Sequence, residues 1–507
     1  MTRTLPSPVA AGPDERFGPR LWGLLLVLAG NMLIDALEVS VAVVALPAIG
    51  TDLGAGPTVT QWAMTGFAAG FGGLLLFGAR VVTLLGRRRV YLAALLAFAA
   101  ASVLSALAQD PWLLLTTRLV KGFCAALTAP TGLAIITSTF PEGRPRSRAV
   151  SVYTLFGAGG FTAGLILSGW LTEASWRWAF AFPAPVVLVL FASGLRLIPS
   201  APKGRGAVLD MRLPPRGRDQ PPRRRTMTTT AQRYDIPGAL TFLVALLALV
   251  QGITQLPGHR WSDPRAVGPL CGAVVLLAVF RWIERRSAEP LLKIGGSPRN
   301  PALLRSAAGA ACLNGSYLGL LFVLTYQTQT LAGWSPLRAA LALTPAAAPP
   351  ALTALASGRL VARFGAPRLI VAGAACAFAG YLLQLRPNPW PLDYPGRMLP
   401  TLLLVGTGFV LSFAALNMQA MSRLAPADRL TGSGLYQTAV QLAAVVTVAL
   451  VAALLAAYAP ATAPGPAAAA AACRPALTLV AVLGFLGLLV GLTGLIRTPP
   501  SSLHDGE

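Results

Sequence analysis

The sequence predicts an all-α integral membrane protein with fourteen transmembrane helices, and three observations predict it. Only 12% of the 507 residues are charged, against roughly 25% in an ordinary soluble domain. Apolar runs of about 18 or more residues recur from end to end, each long enough to cross a hydrocarbon core of roughly 30 Å as a helix. The basic residues fall in alternate loops, as they do when one side of every hairpin faces the cytoplasm.

The runs are read at 21–46, 61–85, 90–109, 112–137, 149–171, 178–198, 237–256, 266–283, 306–331, 339–362, 368–386, 398–421, 433–458 and 476–496. The polar, mixed stretch MTRTLPSPVAAGPDERFGPR before the first run is too long for a signal-peptide n-region, and no A-x-A site follows, so the first helix is expected to be retained. In a soluble chain a formal charge of +23 would point to nucleic acid. Here Arg87, Arg88 and Arg89, then Arg144, Arg146 and Arg148, the run from Lys203 to Arg233, and Arg285, Arg286, Lys293, Arg299 and Arg305 all fall on one face of a fourteen-span topology. The opposite loops carry isolated bases such as Arg177, Arg260 and Arg338. The expected partner is the lipid bilayer, not nucleic acid, and both termini are expected on the cytoplasmic side.

Four segments follow. Residues 1–198 hold the N-terminal tail and a six-helix bundle. Residues 199–235 are Pro-rich, basic and without hydrophobic periodicity, and are expected to be a disordered cytoplasmic linker. Residues 236–305 hold two additional central helices and a loop, and 306–507 a second six-helix bundle and tail. The stretch GARVVTLLGRRR (Gly78 to Arg89) is echoed by GRLVARFGAPR (Gly358 to Arg368) at the equivalent turn of the second bundle. Parallel six-helix repeats are a transporter architecture, with the substrate site at the interface of the halves.

The first run, NMLIDALEVSVAVVALPAI, contains Asp35 and Glu38. An ionisable group at the bilayer centre costs about 2.5–3.5 kcal/mol on insertion scales, so both should face the bundle interior or an aqueous cavity. Their i, i+3 spacing places them on one helix face. In the fourth run, Arg118 lies roughly 9 Å below Trp112 and Lys121 about 14 Å below it at 1.5 Å rise per residue. Glu38 and Lys121 then come level, and the two acids and two bases are expected to form one charge cluster. It is either a proton-coupling device or a static ion-pair cluster holding helices one and four together. No acid lies mid-span in the second half, where Glu284, Asp393 and Asp428 sit at ends or in loops. Proton carriage, if it occurs, falls on Asp35 and Glu38.

Neutral polar groups supply the second half's candidates for a substrate cavity: Asn314, Tyr317, Tyr326, Gln327, Gln329, Asn417, Gln419, Tyr436, Gln437 and Gln441. Such groups orient a ligand in a mostly apolar pocket, or glue helices together. Trp22, Trp62, Trp112, Trp176 and Trp178 are placed as an interfacial aromatic belt, with Trp62 and Phe67 as alternative pocket walls. No phosphate loop, H-E-x-x-H or G-x-S-x-G occurs, so neither ATP-driven transport nor hydrolase chemistry is expected. Five scattered cysteines, and His259 and His504 without a partner pattern, leave no metal site. No cofactor is expected.

Several stretches resemble the fourteen-helix drug:proton antiporter branch of the major facilitator superfamily. LEVSVAVVALPAI (Leu37 to Ile49) is similar to its first-helix motif L-D-x-T-I-V-N-V-A-L-P, with Glu38 on the Asp and Val43 on the Asn. RLVKGFCAALTAP (Arg118 to Pro130) is similar to R-x-x-Q-G-x-G-x-A, with Lys121 in place of Gln. GLILSGWLTEASWRWAF (Gly164 to Phe180) resembles G-P-x-x-G-G and its trailing W-R-W-x-F. WSDPRAV from Trp261, ERRSAEPLL from Glu284 and AGWSPLRAALALTP from Ala332 match the branch's connecting segments. The resemblance implies proton coupling through Glu38 with Arg118, and gating at Gly86, Arg87, Arg88, Gly164 and Gly169. It departs at Thr83, where the loop motif has Asp, and at Leu165, where the fifth-helix motif has Pro. The implied function is proton-coupled export of a lipophilic drug or antibiotic across the cell membrane by a monomer, through alternating access. A proton-coupled importer or facilitator, and a non-transporting scaffold or sensor using the basic linker to bind partners, stand as alternatives.

Overall fold

The computed structural model describes residues 17–199, 235–258, 263–287, 300–353, 356–386, 392–422, 424, 428–458 and 466–496. The linker expected at 199–235 lies almost wholly outside them, as do His259 and His504. Every regular element among the described residues is helical.

Among the described residues, thirteen helices are long and apolar enough to cross a membrane, and one bent pair, counted as a single broken span, makes a fourteenth. In chain order they are α1 (Pro19–Asp52), α2 (Pro57–Leu85), α3 (Arg87–Ala106), α4 (Pro111–Thr139), α5 (Arg144–Ala174), α6 (Trp176–Leu197) and α7 (Ile236–Gln255). Then come α8 (Pro264–Arg286), α9 (Pro301–Leu331), α10 (Pro336–Thr353 with Gly358–Phe364), α11 (Ala366–Leu385), α12 (Tyr394–Ser422), α13 (Thr431–Tyr458) and α14 (Ala468–Leu495). Many open on a proline at the first turn, where the missing N–H costs nothing. Side-chain caps complete some starts: Asp110 accepts from the N–H groups of Trp112 and Leu113 at 2.9 Å each, and Asn300 from that of Ala302 at 3.0 Å.

The tenth run, read from sequence as one span over 339–362, is bent by 78°. Pro345, Pro349 and Pro350 lie inside its first segment, and each removes a ladder hydrogen bond and crowds the preceding turn. The paired stretches seen in the sequence adopt the same turn. Gly86 between α2 and α3 has φ +89°, and Gly365 between α10 and α11 has φ +79°, a region that L side chains enter only at a cost.

In the first half α1 packs on α5, α2 on α4, and α3 on α4 and α6; in the second, α9 packs on α12, α13 and α14, and α11 on α12 and α14. The halves meet along two seams, α5 against α10 and α2 against α13. The two additional helices form a hairpin in which α7 touches both α2 and α13, covering that second seam, and α8 packs on α7. Helix α8 turns Val274, Val275 and Trp282 outward, an apolar face suited to lipid.

Candidate functional site

The charged residues of α1 and α4 meet inside the first half. Glu38, Arg118 and Lys121 are each fully buried. One Glu38 carboxylate oxygen accepts from the Arg118 guanidinium, and the other lies 2.5 Å from the Lys121 ammonium. Arg118 also donates to the backbone oxygens of Glu38, at 3.0 Å, and of Ala63 on α2, at 2.5 Å. Its guanidinium lies 4.9 Å from the Phe67 ring centre and 5.5 Å from that of Phe180, while Lys121 sits 5.1 Å from Phe98 and 5.6 Å from Phe180. Aromatic faces thus take up positive charge that the carboxylate leaves uncompensated. Gly122 permits this approach, because a Cβ there would strike the Phe67 carbonyl of α2.

Asp35 does not join the ion pairs. Its carboxylate accepts from the Asn31 side-chain amide at 3.0 Å and the Thr128 hydroxyl at 3.2 Å. The single four-residue cluster expected from sequence is therefore corrected to a Glu38 triad and a separate Asp35 site. Helices α1 and α4 run antiparallel, so a turn back along α1 meets a later turn of α4, which offers Thr128 instead of a base. Asn31 and Thr128 were not singled out in the sequence; the i, i+4 spacing of Asn31 and Asp35 was the available signal. The triad is also walled into the bundle interior, with no exposure to an open cavity.

A second set of contacts closes the α5–α10 seam towards the face opposite the N-terminus. Gly169 lies against Pro336, Leu337 and Ala340. The Glu173 carboxylate accepts from the Leu337 N–H at 3.0 Å, at the start of α10. Thr162 donates to the Ala347 carbonyl at 2.9 Å, and beside this seam Gln329 of α9 donates to the Val44 carbonyl of α1 at 3.0 Å, a separate tie between the halves. Leu165, where the antiporter motif has Pro, fills a buried cluster with Val44, Ala340 and Ala347. Glu173 and Thr162 carry no motif and went unmarked in the sequence. Gly164 packs instead on Leu37 and Ser40 of α1, inside the first half. At the other face Arg87 donates to Ala134 and Ser138 of α4, and Arg88 to Leu195 of α6. Thr83, in place of the motif's Asp, bonds its own helix at Arg80.

The cavity candidates scatter. Phe67 lies under Arg118 in the first half, and Trp62 is buried with Leu246 and Val250 of α7 and Val445 of α13. Neither stands beside Tyr317. Asn314 donates to the Val440 carbonyl at 3.1 Å, a helix-to-helix tie. Gln441 packs on Gly72 across the α2–α13 seam. Tyr326 and Gln327 lie in a π-helical turn that ends α9, a device common at functional sites. The Tyr436 hydroxyl and the side-chain amide oxygens of Gln327 and Gln437 are buried without hydrogen-bond partners among the described residues, and Asn417 is exposed. Of the expected aromatic belt, Trp112 and Trp178 are exposed, but Trp176 is 3% exposed and donates to the Asp52 carboxylate at 3.0 Å. It ties the start of α6 to the end of α1, where Asp52 itself stays exposed.

Two six-helix halves meeting along paired seams, with a buried ionic triad in one, have the architecture of a multi-pass membrane transporter. The chain matches the Major Facilitator Superfamily over residues 28–448. It is 34% identical over 451 residues to the puromycin resistance protein pur8 of Streptomyces alboniger, covering 88% of this chain and 83% of that one. It is 30% identical over 440 residues to the cephamycin export protein CmcT of Amycolatopsis lactamdurans, covering 84% and 83%. Among solved structures, an inward-facing, unoccupied bacterial homolog of the human lysosomal transporter Spinster superposes with a TM-score of 0.62 at 17% identity, covering 96% of this chain and all of that one. The chain belongs to the Major Facilitator Superfamily. It is a small-molecule transporter and not an enzyme.

Proposed function

We propose that this transporter exports a lipophilic small molecule, antibiotics included, across the cytoplasmic membrane in exchange for protons, with both termini in the cytoplasm. The observation that carries the proton side is Glu38, a fully buried carboxylate held by two cations at the middle of α1. The cargo side draws support from relatives named for puromycin resistance and cephamycin export.

A proton arriving on Glu38 removes the negative charge between Arg118 and Lys121 and leaves two like charges buried together. Separating a buried pair by removing one partner costs about 3–5 kcal/mol, enough to drive a rearrangement of α1 against α4. The opposite face of α1 packs on α5 through Leu37 and Ser40 against Gly164. Helix α5 carries Thr162, Gly169 and Glu173 at the seam, so a shift of α1 reaches the contacts that close it. Arg118 stays protonated and acts by holding the carboxylate, not by carrying the proton. Asp35 is the second proton-accepting group, one turn nearer the cytoplasmic face.

The test is uptake of puromycin into everted membrane vesicles acidified inside. Wild type accumulates the drug only while the pH gradient lasts, and Glu38→Gln does not accumulate it. Equal accumulation with and without the gradient defeats the exchange reading.

A further inference from the structure

We infer that the substrate site is a ladder of four aromatic rings across the seam, built to bind a planar aromatic molecule by stacking. Phe161 of α5 lies 5.9 Å from Tyr317 of α9, Tyr317 lies 4.9 Å from Phe409 of α12, and Phe409 stacks on Phe413 at 4.9 Å with only 14° between the planes. Phe161–Tyr317 is the one ring pair among the described residues that joins the two halves. The inference rests on the export reading for the direction of transport, and on the geometry alone for the class of ligand.

Three features distinguish the ladder from ordinary core packing. Its members lie near the middle of their helices, where a bundle is normally best filled, yet Phe161, Phe409 and Phe413 are only partly buried. Tyr317 is 4% exposed, and its hydroxyl is neither hydrogen-bonded among the described residues nor fully buried, so the polar end of the ring stays open to a partner from outside the chain. The ladder also lies just inside the closed seam, since Thr162, adjacent to Phe161, bonds the Ala347 carbonyl of α10. A molecule entering from the N-terminal face meets these rings before the closure. Aromatic rings prefer offset-stacked or edge-on partners, so a planar ring system extends the Phe409–Phe413 stack and gains the Tyr317 hydroxyl as a polar contact.

The ladder carries no formal charge, and the Glu38 triad is buried away in the first half. Recognition is therefore by ring surface, and ionic coupling is felt through α1 and α5. Because Phe161 belongs to one half and Tyr317 to the other, a ligand seated between them changes the contact that must break when the halves rock.

The test is ethidium binding to purified protein by fluorescence, with puromycin and lincomycin as competitors. Puromycin carries two aromatic ring systems and lincomycin none. Wild type is expected to bind ethidium and to release it to puromycin but not to lincomycin. Phe161→Leu and Phe409→Leu, which keep apolar bulk but lose the ring, each weaken binding about fivefold or more, whereas Phe409→Tyr stays within about twofold. Phe378→Leu, in the remote Phe378–Phe485 pair, leaves binding unchanged, and circular dichroism and melting establish that each variant is folded. No ethidium binding by wild type, equal competition by lincomycin, or folded Leu variants that bind like wild type would each overturn the inference. Binding that follows the ladder, without any drug efflux from cells, would uphold the site and defeat the export reading.

Discussion

The Glu38 triad makes a quantitative prediction about how its members couple. Glu38→Gln leaves Arg118 and Lys121 buried without their counter-charge, and Lys121→Met leaves Glu38 with Arg118 alone while keeping an apolar stem between Phe98 and Phe180. Removing one partner of a buried pair costs about 3–5 kcal/mol, so independent effects would sum to roughly 6–10 kcal/mol. The ammonium lies 2.5 Å from the carboxylate, so the two losses are largely one loss. The double variant removes one of the two cations that Glu38→Gln strands, and should cost little more than either single change. A coupling of about 3 kcal/mol or more is expected, at or above the upper end for residues in direct contact. Equilibrium unfolding of the purified protein in mixed micelles measures all four corners of the cycle. Additive losses, with coupling below about 0.5 kcal/mol, would refute the triad as a coupled unit.

Three further outcomes follow from the same geometry. Asp35→Asn keeps an oxygen to accept from Asn31 and Thr128, so its stability should change by less than about 1 kcal/mol while proton-driven transport falls; a large loss of stability with transport intact would reverse that assignment. Gly169→Leu places atoms where Ala340 and the Leu337 backbone already sit, so cysteines introduced on the two sides of the α5–α10 seam should cross-link less readily and drug-driven proton movement should slow. Glu173→Ala removes the acceptor for the Leu337 N–H and should raise labelling of seam cysteines from the face opposite the N-terminus. Glu173→Gln, which retains an acceptor oxygen, should restore wild-type labelling.

The span count and the contact of α1 with α4 were legible because they depend on quantities the chain carries locally: run length, rise per residue and charge placement. Glu38 and Lys121 fall at equal depth by counting alone, and the structure brings them together. The rotation of one helix against another is not written in depth, so Asp35 was grouped with the bases although it faces Thr128. The bend in α10 follows a segment that carries Pro345, Pro349 and Pro350, and a count of apolar run length does not register where such a segment ends. Glu173 and Thr162 have ordinary local surroundings, and their importance arises only where α5 and α10 meet. The ladder was partly visible, since Tyr317 is polar and stands out in an apolar run. Phe161, Phe409 and Phe413 look like any membrane phenylalanine until their spacing in three dimensions is known. Trp176 illustrates the same limit, because position at a span end suggests the interface, and only the packed structure shows its ring buried against Phe180 while its indole N–H reaches the exposed Asp52.

The most direct test of the central claim is proton release on drug binding, measured in weakly buffered detergent solution with purified transporter and puromycin. Wild type should release protons on adding the drug, and Glu38→Gln combined with Asp35→Asn should release none while still binding it. Release of the same size from the double variant would contradict the assignment of proton coupling to these two carboxylates.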